Sequence, residues 1–319
     1  MNTTERTLVI GSCGQLGTEL VEALCQKFGK ENVWATDIAE KTPALEGYQF
    51  MKLDVLDEKS LSKVIKDHEI TQVYHLAAIL SAKGETMPLR AWDINMQGLL
   101  NVLEAAKLFH LKVFWPSSIA VFGPNTPQDN TPQDTVMQPN TVYGMSKLAG
   151  ELWCQYYFEK YGVDVRSIRY PGLIGWKSLP GGGTTDYAVE IFHKALAGEY
   201  FECFLSEQTG LPMMYMPDAV KGTLALMDAP AEQLTVRTSY NFAGMTFTPE
   251  EIYKEVKKHF PQFEISYKPD FRQAIADSWP SSIDDAVAQK DWNWTPDYDL
   301  GKMTEDIVTN LKKKHSLID

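Results

Sequence analysis

A phenol and an amine one helical turn apart can share a proton, and the chain carries such a pair in Tyr143-Gly144-Met145-Ser146-Lys147. An i, i+4 spacing sets Tyr143 and Lys147 on one face of a helix. A neighbouring cation favours tyrosinate and predicts a phenol pKa below its usual value of about 10. Such a phenol is the general base that an alcohol requires. Two hydroxyls, Ser117 and Ser118, close the apolar run Val113-Phe114-Trp115-Pro116, with Ile119-Ala120-Val121-Phe122-Gly123 behind them. Ser118 stands 25 residues before Tyr143. Ser117 is the alternative to it, or only a hydrogen bond for the strand end.

Near the N-terminus an apolar strand at Thr7–Ile10 runs into Gly11-Ser12-Cys13-Gly14-Gln15-Leu16-Gly17, which opens a helix. Glycines there permit a tight turn, let backbone N–H groups approach a pyrophosphate, and pack the helix on the strand. The helix N-terminus adds partial positive charge. A glycine pattern alone is weak evidence, but an acid, Asp37, closes the second strand 20 residues after Gly17. Its carboxylate can accept both ribose hydroxyls of NAD and would repel a 2′-phosphate. Ile38-Ala39 supply no arginine to welcome that phosphate, so NAD is expected rather than NADP.

The elements that must position these groups alternate. Strands are expected at 7–10, 33–36, 48–53, 72–76, 112–116 and 163–170, and helices at 15–28, 57–68, 88–109 and 142–161. Apolar Leu16, Leu20, Ala23 and Leu24 mark the first helix; Leu61, Val64 and Ile65 mark the second. That order predicts an α/β fold, a Rossmann-type doubly wound parallel sheet over residues 1–175. Residues 176–319 read as a smaller, discontinuous substrate-binding region, with short helices at 246–261 and within 284–319. Residues 211–229 and 239–242 are expected to return to the first domain, within 211–245.

Composition narrows the partners. A net charge of −12 argues against a nucleic-acid backbone or an anionic membrane surface. No apolar stretch is long enough to span a bilayer, and Leu8-Val9-Ile10 stops too soon for a leader, so a cytoplasmic protein is expected. Cys13, Cys25, Cys154 and Cys203 form no Cys-x-x-Cys pair and suit a reducing compartment. The six histidines lack ligand spacing, so no metal is expected. His75 reads as a strand-end residue beside the cofactor.

The glycine loop, Asp37, Ser118 with its Val-Phe-Gly, and Tyr143/Lys147 together resemble the extended short-chain dehydrogenases. That resemblance implies cofactor contacts at Asp54-Val55, at Leu76-Ala77-Ala78 and at Tyr170, with Asn95 near the site. The longer segments His75-Leu76-Ala77-Ala78-Ile79-Leu80-Ser81-Ala82, Arg169-Tyr170-Pro171-Gly172-Leu173-Ile174, Pro180-Gly181-Gly182-Gly183-Thr184-Thr185-Asp186-Tyr187, Leu211-Pro212-Met213-Met214-Tyr215-Met216 and Ile275-Ala276-Asp277-Ser278-Trp279-Pro280 are similar to the short-chain L-threonine 3-dehydrogenases. The likeness runs over nearly the whole chain. It implies NAD-dependent oxidation of a small molecule, L-threonine, at its β-hydroxyl, without metal. Ser81, Thr184 and Asp186 would then line the amino-acid site, with Thr185 nearby, and Ser118 and Tyr143 would hold the hydroxyl. It also implies a homodimer through the two long helices, although Trp153, Tyr156 and Tyr157 can equally be core. The rival readings are a nucleotide-sugar epimerase or dehydratase on the same scaffold and a non-catalytic NAD-sensing protein. Tyr170-Pro171 stands where such epimerases commonly carry asparagine, and sensing relatives typically lose the tyrosine or lysine.

Overall fold

The structure, a computed structural model, describes residues 5–179 and 181–316. The first half alternates as β1 (Thr7–Ile10), α1 (Gln15–Phe28), β2 (Val33–Asp37), β3 (Gln49–Lys52), α2 (Glu58–Asp67), β4 (Gln72–His75), α3 (Ser81–Thr86), α4 (Pro88–Phe109), β5 (Lys112–Ser118), α5 (Val142–Tyr161) and β6 (Val165–Tyr170). Then come β7 (Gly172–Ile174), α6 (Tyr187–Ala197), β8 (Phe201–Cys203), β9 (Leu211–Tyr215), α7 (Met216–Asp228), β10 (Tyr240–Asn241) and β11 (Met245–Phe247). The chain closes with α8 (Pro249–His259), β12 (Ile265–Tyr267), α9 (Phe271–Ala276), α10 (Ala286–Trp292) and α11 (Leu300–Ser316).

Seven strands form one parallel sheet in the order β10-β6-β5-β4-β1-β2-β3. β1 and β4 are buried along their length, as parallel strands covered on both faces must be. Leu20, Val21 and Leu24 of α1 pack one face together with Met216, Ala219 and Leu226 of α7. Leu61 and Ile65 of α2, Leu99 and Val102 of α4, and Cys154 and Tyr157 of α5 cover the other. This is the doubly wound α/β fold expected from the alternation.

The strand order reverses between β1 and β4, whose neighbours on the far sides are β2 and β5. Ligands of such sheets bind in the crevice outside the strand ends at that point.

Two expectations need correction. β5 runs two residues past Pro116, to Ser118, in register with β6 from Val113↔Val165 to Ser118↔Tyr170. A proline lacks a ladder donor and normally ends a central strand, but here the strand end has side-chain partners of its own, described below. Residues 211–229 divide. β9 joins β7 and β11 in a separate three-stranded sheet, while α7 packs on α1 and β6. Only β10 rejoins the large sheet. The helices α3 and α6 and the short strands of the second half carried no clear periodic signal.

The long helices α4 and α5 pack on each other. Tyr157 is core, but Leu89 and Trp92 of α4 and Leu152, Trp153 and Tyr156 of α5 are exposed. Among the described residues, no helix is long and apolar enough to cross a membrane.

Candidate active site

Tyr143 lies in the first turn of α5, which Thr141 caps by accepting from the Gly144 N–H. The Ser118 hydroxyl lies beside that of Tyr143 and accepts from the Ala120 N–H at 3.2 Å. Lys147 is buried one turn on. Its ammonium donates to the Pro116 carbonyl at 2.5 Å and stands 4.5 Å from the Trp115 ring and 5.5 Å from the Tyr143 ring.

Burial pushes the Tyr143 phenol up to about 12, with the Ser118 hydrogen bond acting against it. Burial also brings Lys147 down to about 7. The expected lowering of the phenol is therefore not found; its pKa is raised. The lysine faces a carbonyl and an indole rather than the phenol oxygen, and desolvation is the largest influence on both groups. Of the two serines, Ser117 turns to Glu151 and donates to it at 2.6 Å.

At the same end of α5, the Val142 N–H donates to Glu85 of α3 at 2.8 Å. This contact brings in Ser81, whose hydroxyl lies 3.4 Å from that of Thr184, both buried. Thr185 packs its methyl against Gly172. Asp186 is buried and accepts from the Gly182 and Gly183 N–H groups at 2.6 and 2.8 Å, both through Oδ2. Pro180 of this glycine loop lies outside the described residues.

The cofactor residues gather at the sheet's switch point. Gly11 adopts φ +86°, and a Cβ there would come within 2.6 Å of the Ala77 N, so the turn and the end of β4 close only around glycine. Gly14 begins α1, whose first turn has no side-chain cap, leaving its N–H groups for an anion. Asp37 accepts from the Cys13 N–H and the Ala39 N–H, each at 2.9 Å, one at each oxygen. Those bonds fix a half-buried carboxylate with further lone pairs to offer, and Ile38 beside it is exposed. This donor and acceptor set fits a dinucleotide with a free 2′-hydroxyl.

Ser12 is buried, and its hydroxyl has no partner among the described residues. Gln15 reaches away from the turn, donating to the Leu179 carbonyl at 3.0 Å, while Leu16 packs into the core beneath α1. Asp54 accepts from the Leu56 N–H at 2.9 Å, and the Val55 carbonyl accepts from Asn101 at the same distance. Leu76, Ala77 and Ala78 are half-buried at the end of β4.

Two residues expected at the cofactor have side chains engaged elsewhere. Asn95 accepts from the Ile79 N–H at 2.8 Å and donates to the Ile79 carbonyl and the Ser146 hydroxyl, both at 3.1 Å. It clamps the loop after β4 onto α5. Tyr170 turns into the core between Phe114 and Phe242, its hydroxyl meeting Thr223. Burial keeps His75 neutral, at about 3, and no three His, Cys, Asp or Glu among the described residues converge as metal ligands.

Sequence reading missed Ser146, which bridges Asn95 to the Tyr143 carbonyl, and Glu151, the next residue on the Tyr143/Lys147 face. The i, i+4 spacing alone could have singled out Glu151. It also missed Lys177, which pairs with Glu19 and Glu22 and straps the segment after β7 to α1.

Comparison with known proteins agrees with this geometry. The description "NAD dependent epimerase/dehydratase family" matches residues 7–243. An uncharacterized epimerase/dehydratase of Staphylococcus haemolyticus is 46% identical over 97% of this chain and 98% of its own length. The L-threonine dehydrogenase of Cupriavidus necator, solved in a holo form, is 53% identical, with TM-score 0.93 over 96% of this chain and 99% of that one. A monomeric L-threonine 3-dehydrogenase from a metagenome is 49% identical, with TM-score 0.94 over 97% of this chain and 99% of that one.

Proposed function

The chain belongs to the NAD dependent epimerase/dehydratase family, and from that premise we propose that it oxidises the β-hydroxyl of L-threonine to 2-amino-3-oxobutanoate with NAD as acceptor. The observation that carries the reading is the meeting of the Ser118 and Tyr143 hydroxyls one turn from the buried Lys147. Relatives sharing half the sequence over the full fold, and described as L-threonine dehydrogenases, support the choice of substrate.

In this reading Ser118 and Tyr143 hold the substrate hydroxyl, and Tyr143 as tyrosinate removes its proton. Ser81 and Thr184 offer hydroxyls to the carboxylate, and Asp186 turns Oδ1 to the ammonium. The dinucleotide is held by the backbone of Gly11, Ser12, Cys13, Gly14, Gln15, Leu16 and Gly17 and by Asp37, with the Asp54-Val55 and Leu76-Ala77-Ala78 segments beside it. Bound NAD supplies the hydride acceptor and, when oxidised, a positive ring charge that favours tyrosinate. Lys147 would offer its cation to the phenolate through the intervening space and would hold a ribose hydroxyl of the bound dinucleotide.

We also place the chain in a reducing compartment such as the cytoplasm, on the strength of its four unpaired thiols. We further assign the exposed Leu89, Trp92, Leu152, Trp153 and Tyr156 to contact with a second copy of the chain. The test of function is incubation of the pure protein with NAD and a panel of hydroxy amino acids. NADH should form with L-threonine; NADH from no member of the panel would refute the reading.

A further inference from the structure

The helix face that carries Tyr143 and Lys147 has a third member one turn on, Glu151, fully buried. Ser117 donates to Glu151 Oε1 at 2.6 Å, and Arg169 donates Nε to Oε1 at 3.0 Å and Nη2 to Oε2 at 2.8 Å. Ser117 and Arg169 stand opposite each other in the β5·β6 ladder, so one carboxylate draws both strand ends onto α5. Arg169 is fixed in turn by the Gln133 carbonyl and Asn241 Oδ1, both at 3.0 Å. The chain neighbours of Ser117 are the two groups the site uses. The Pro116 carbonyl accepts from Lys147, and the Ser118 hydroxyl meets Tyr143. Pro116 brings no N–H to the ladder, so this strand end needs another anchor.

We propose that Glu151, clamped by Ser117 and Arg169, is a positioning residue for the oxidation: it holds the end of β5 so that the Pro116 carbonyl fixes Lys147 and the Ser118 hydroxyl faces Tyr143. The inference rests on the reading of Tyr143, Lys147 and Ser118 as the reacting set. A buried ion pair is rarely worth more to stability than the apolar groups that could replace it, so its place beside the reacting lysine calls for another reason. Charge acts in the same sense, because Cys154 and Glu151 raise Lys147 against the effect of burial. The other titratable or charged groups around this end of α5 are Tyr143 on the same helix, His75 from β4, Glu85 from α3 at Val142, and Arg169 from β6 behind Glu151.

The test pairs a readout without turnover with one that needs it. NMR titration of isotope-labelled lysine side chains, with Lys147→Arg to assign the signal, should show the Lys147 midpoint in Glu151→Gln about one pH unit below wild type. Ser117→Ala keeps the ion pair and reads the clamp even where Glu151→Gln fails to fold. Its kcat with L-threonine should fall about tenfold at unchanged NAD affinity, and Ser117→Thr should recover most of it. A Lys147 midpoint that stays put in folded Glu151→Gln, or a Ser117→Ala kcat within about twofold of wild type, overturns the proposal. A wild type that forms no NADH refutes the oxidation instead, and the lysine titration still decides whether Glu151 governs Lys147.

Discussion

Burial keeps the proton on Tyr143, whose phenol is pushed up to about 12, and makes Lys147 a stronger acid, brought down to about 7. Removing the phenol oxygen should therefore abolish the chemistry without disturbing the cofactor's grip. Tyr143→Phe is expected to bind NAD as wild type does and to lose kcat by on the order of 10²–10⁴; retention of a third or so of the turnover would move the base elsewhere. The lysine also leaves a mark on stability. Between about 7 and its unfolded value of about 10.4, the unfolded chain holds a proton that the folded chain has released, so stability rises with pH across that window. Lys147→Met removes that burden. Its gain over wild type in denaturant titrations should be largest below pH 7 and shrink towards pH 10; a pH-independent difference would contradict the depressed lysine. Asp37 belongs to the same scale. Asp37→Ser with Ile38→Arg should shift the kcat/KM ratio towards NADP, because the carboxylate no longer repels a 2′-phosphate.

At the scale of elements, the site depends on how closely α5 approaches the turn after β5. A Cβ on Gly144 would collide with the Ala120 carbonyl and crowd Pro139. Alanine is the better helix former, so propensity alone predicts that Gly144→Ala stabilises. Packing predicts the reverse: α5 must shift away from the Ser118 turn, at a cost of about 1–3 kcal/mol in thermal or denaturant unfolding. The same shift would part Tyr143 from Ser118 and lower kcat, whereas a more stable, fully active variant would show that the contact is slack. The periodic elements around this contact were legible. The helices at Gln15–Phe28, Pro88–Phe109 and Val142–Tyr161 occur with the expected bounds. The short strands β7 to β9, β11 and β12 were not, because three to five residues carry too little period to separate a strand from a loop.

For the whole molecule, the open question of surface is the apolar face of α4 and α5. Leu89 is 81% exposed and Leu152 56%. A second copy covering this face would bury several large side chains at once, and Leu152→Glu would place a charge in the middle of it. Sedimentation should show a dimer for the wild type and a lighter species for the variant, with NAD binding intact in both. A monomeric wild type would assign the chain to the state named for its metagenomic relative.

The residue order alone determined the doubly wound sheet and singled out the glycine turn, Asp37, the Ser117-Ser118 pair and Tyr143/Lys147. Each rests on a local signal, either a period of hydrophobic residues or a fixed spacing on one element. Tertiary structure decided what depends on residues far apart in the chain. It turned the Ser117 hydroxyl to Glu151, 34 positions on, a carboxylate that Arg169 holds from β6. It set Ser81 against Thr184, drew Asn95 and Tyr170 into protein contacts, raised the Tyr143 phenol and lowered Lys147. Spacing predicted a cation beside a phenol. Only the packed surroundings set how far desolvation shifts each group, since burial depends on every element that closes over the site.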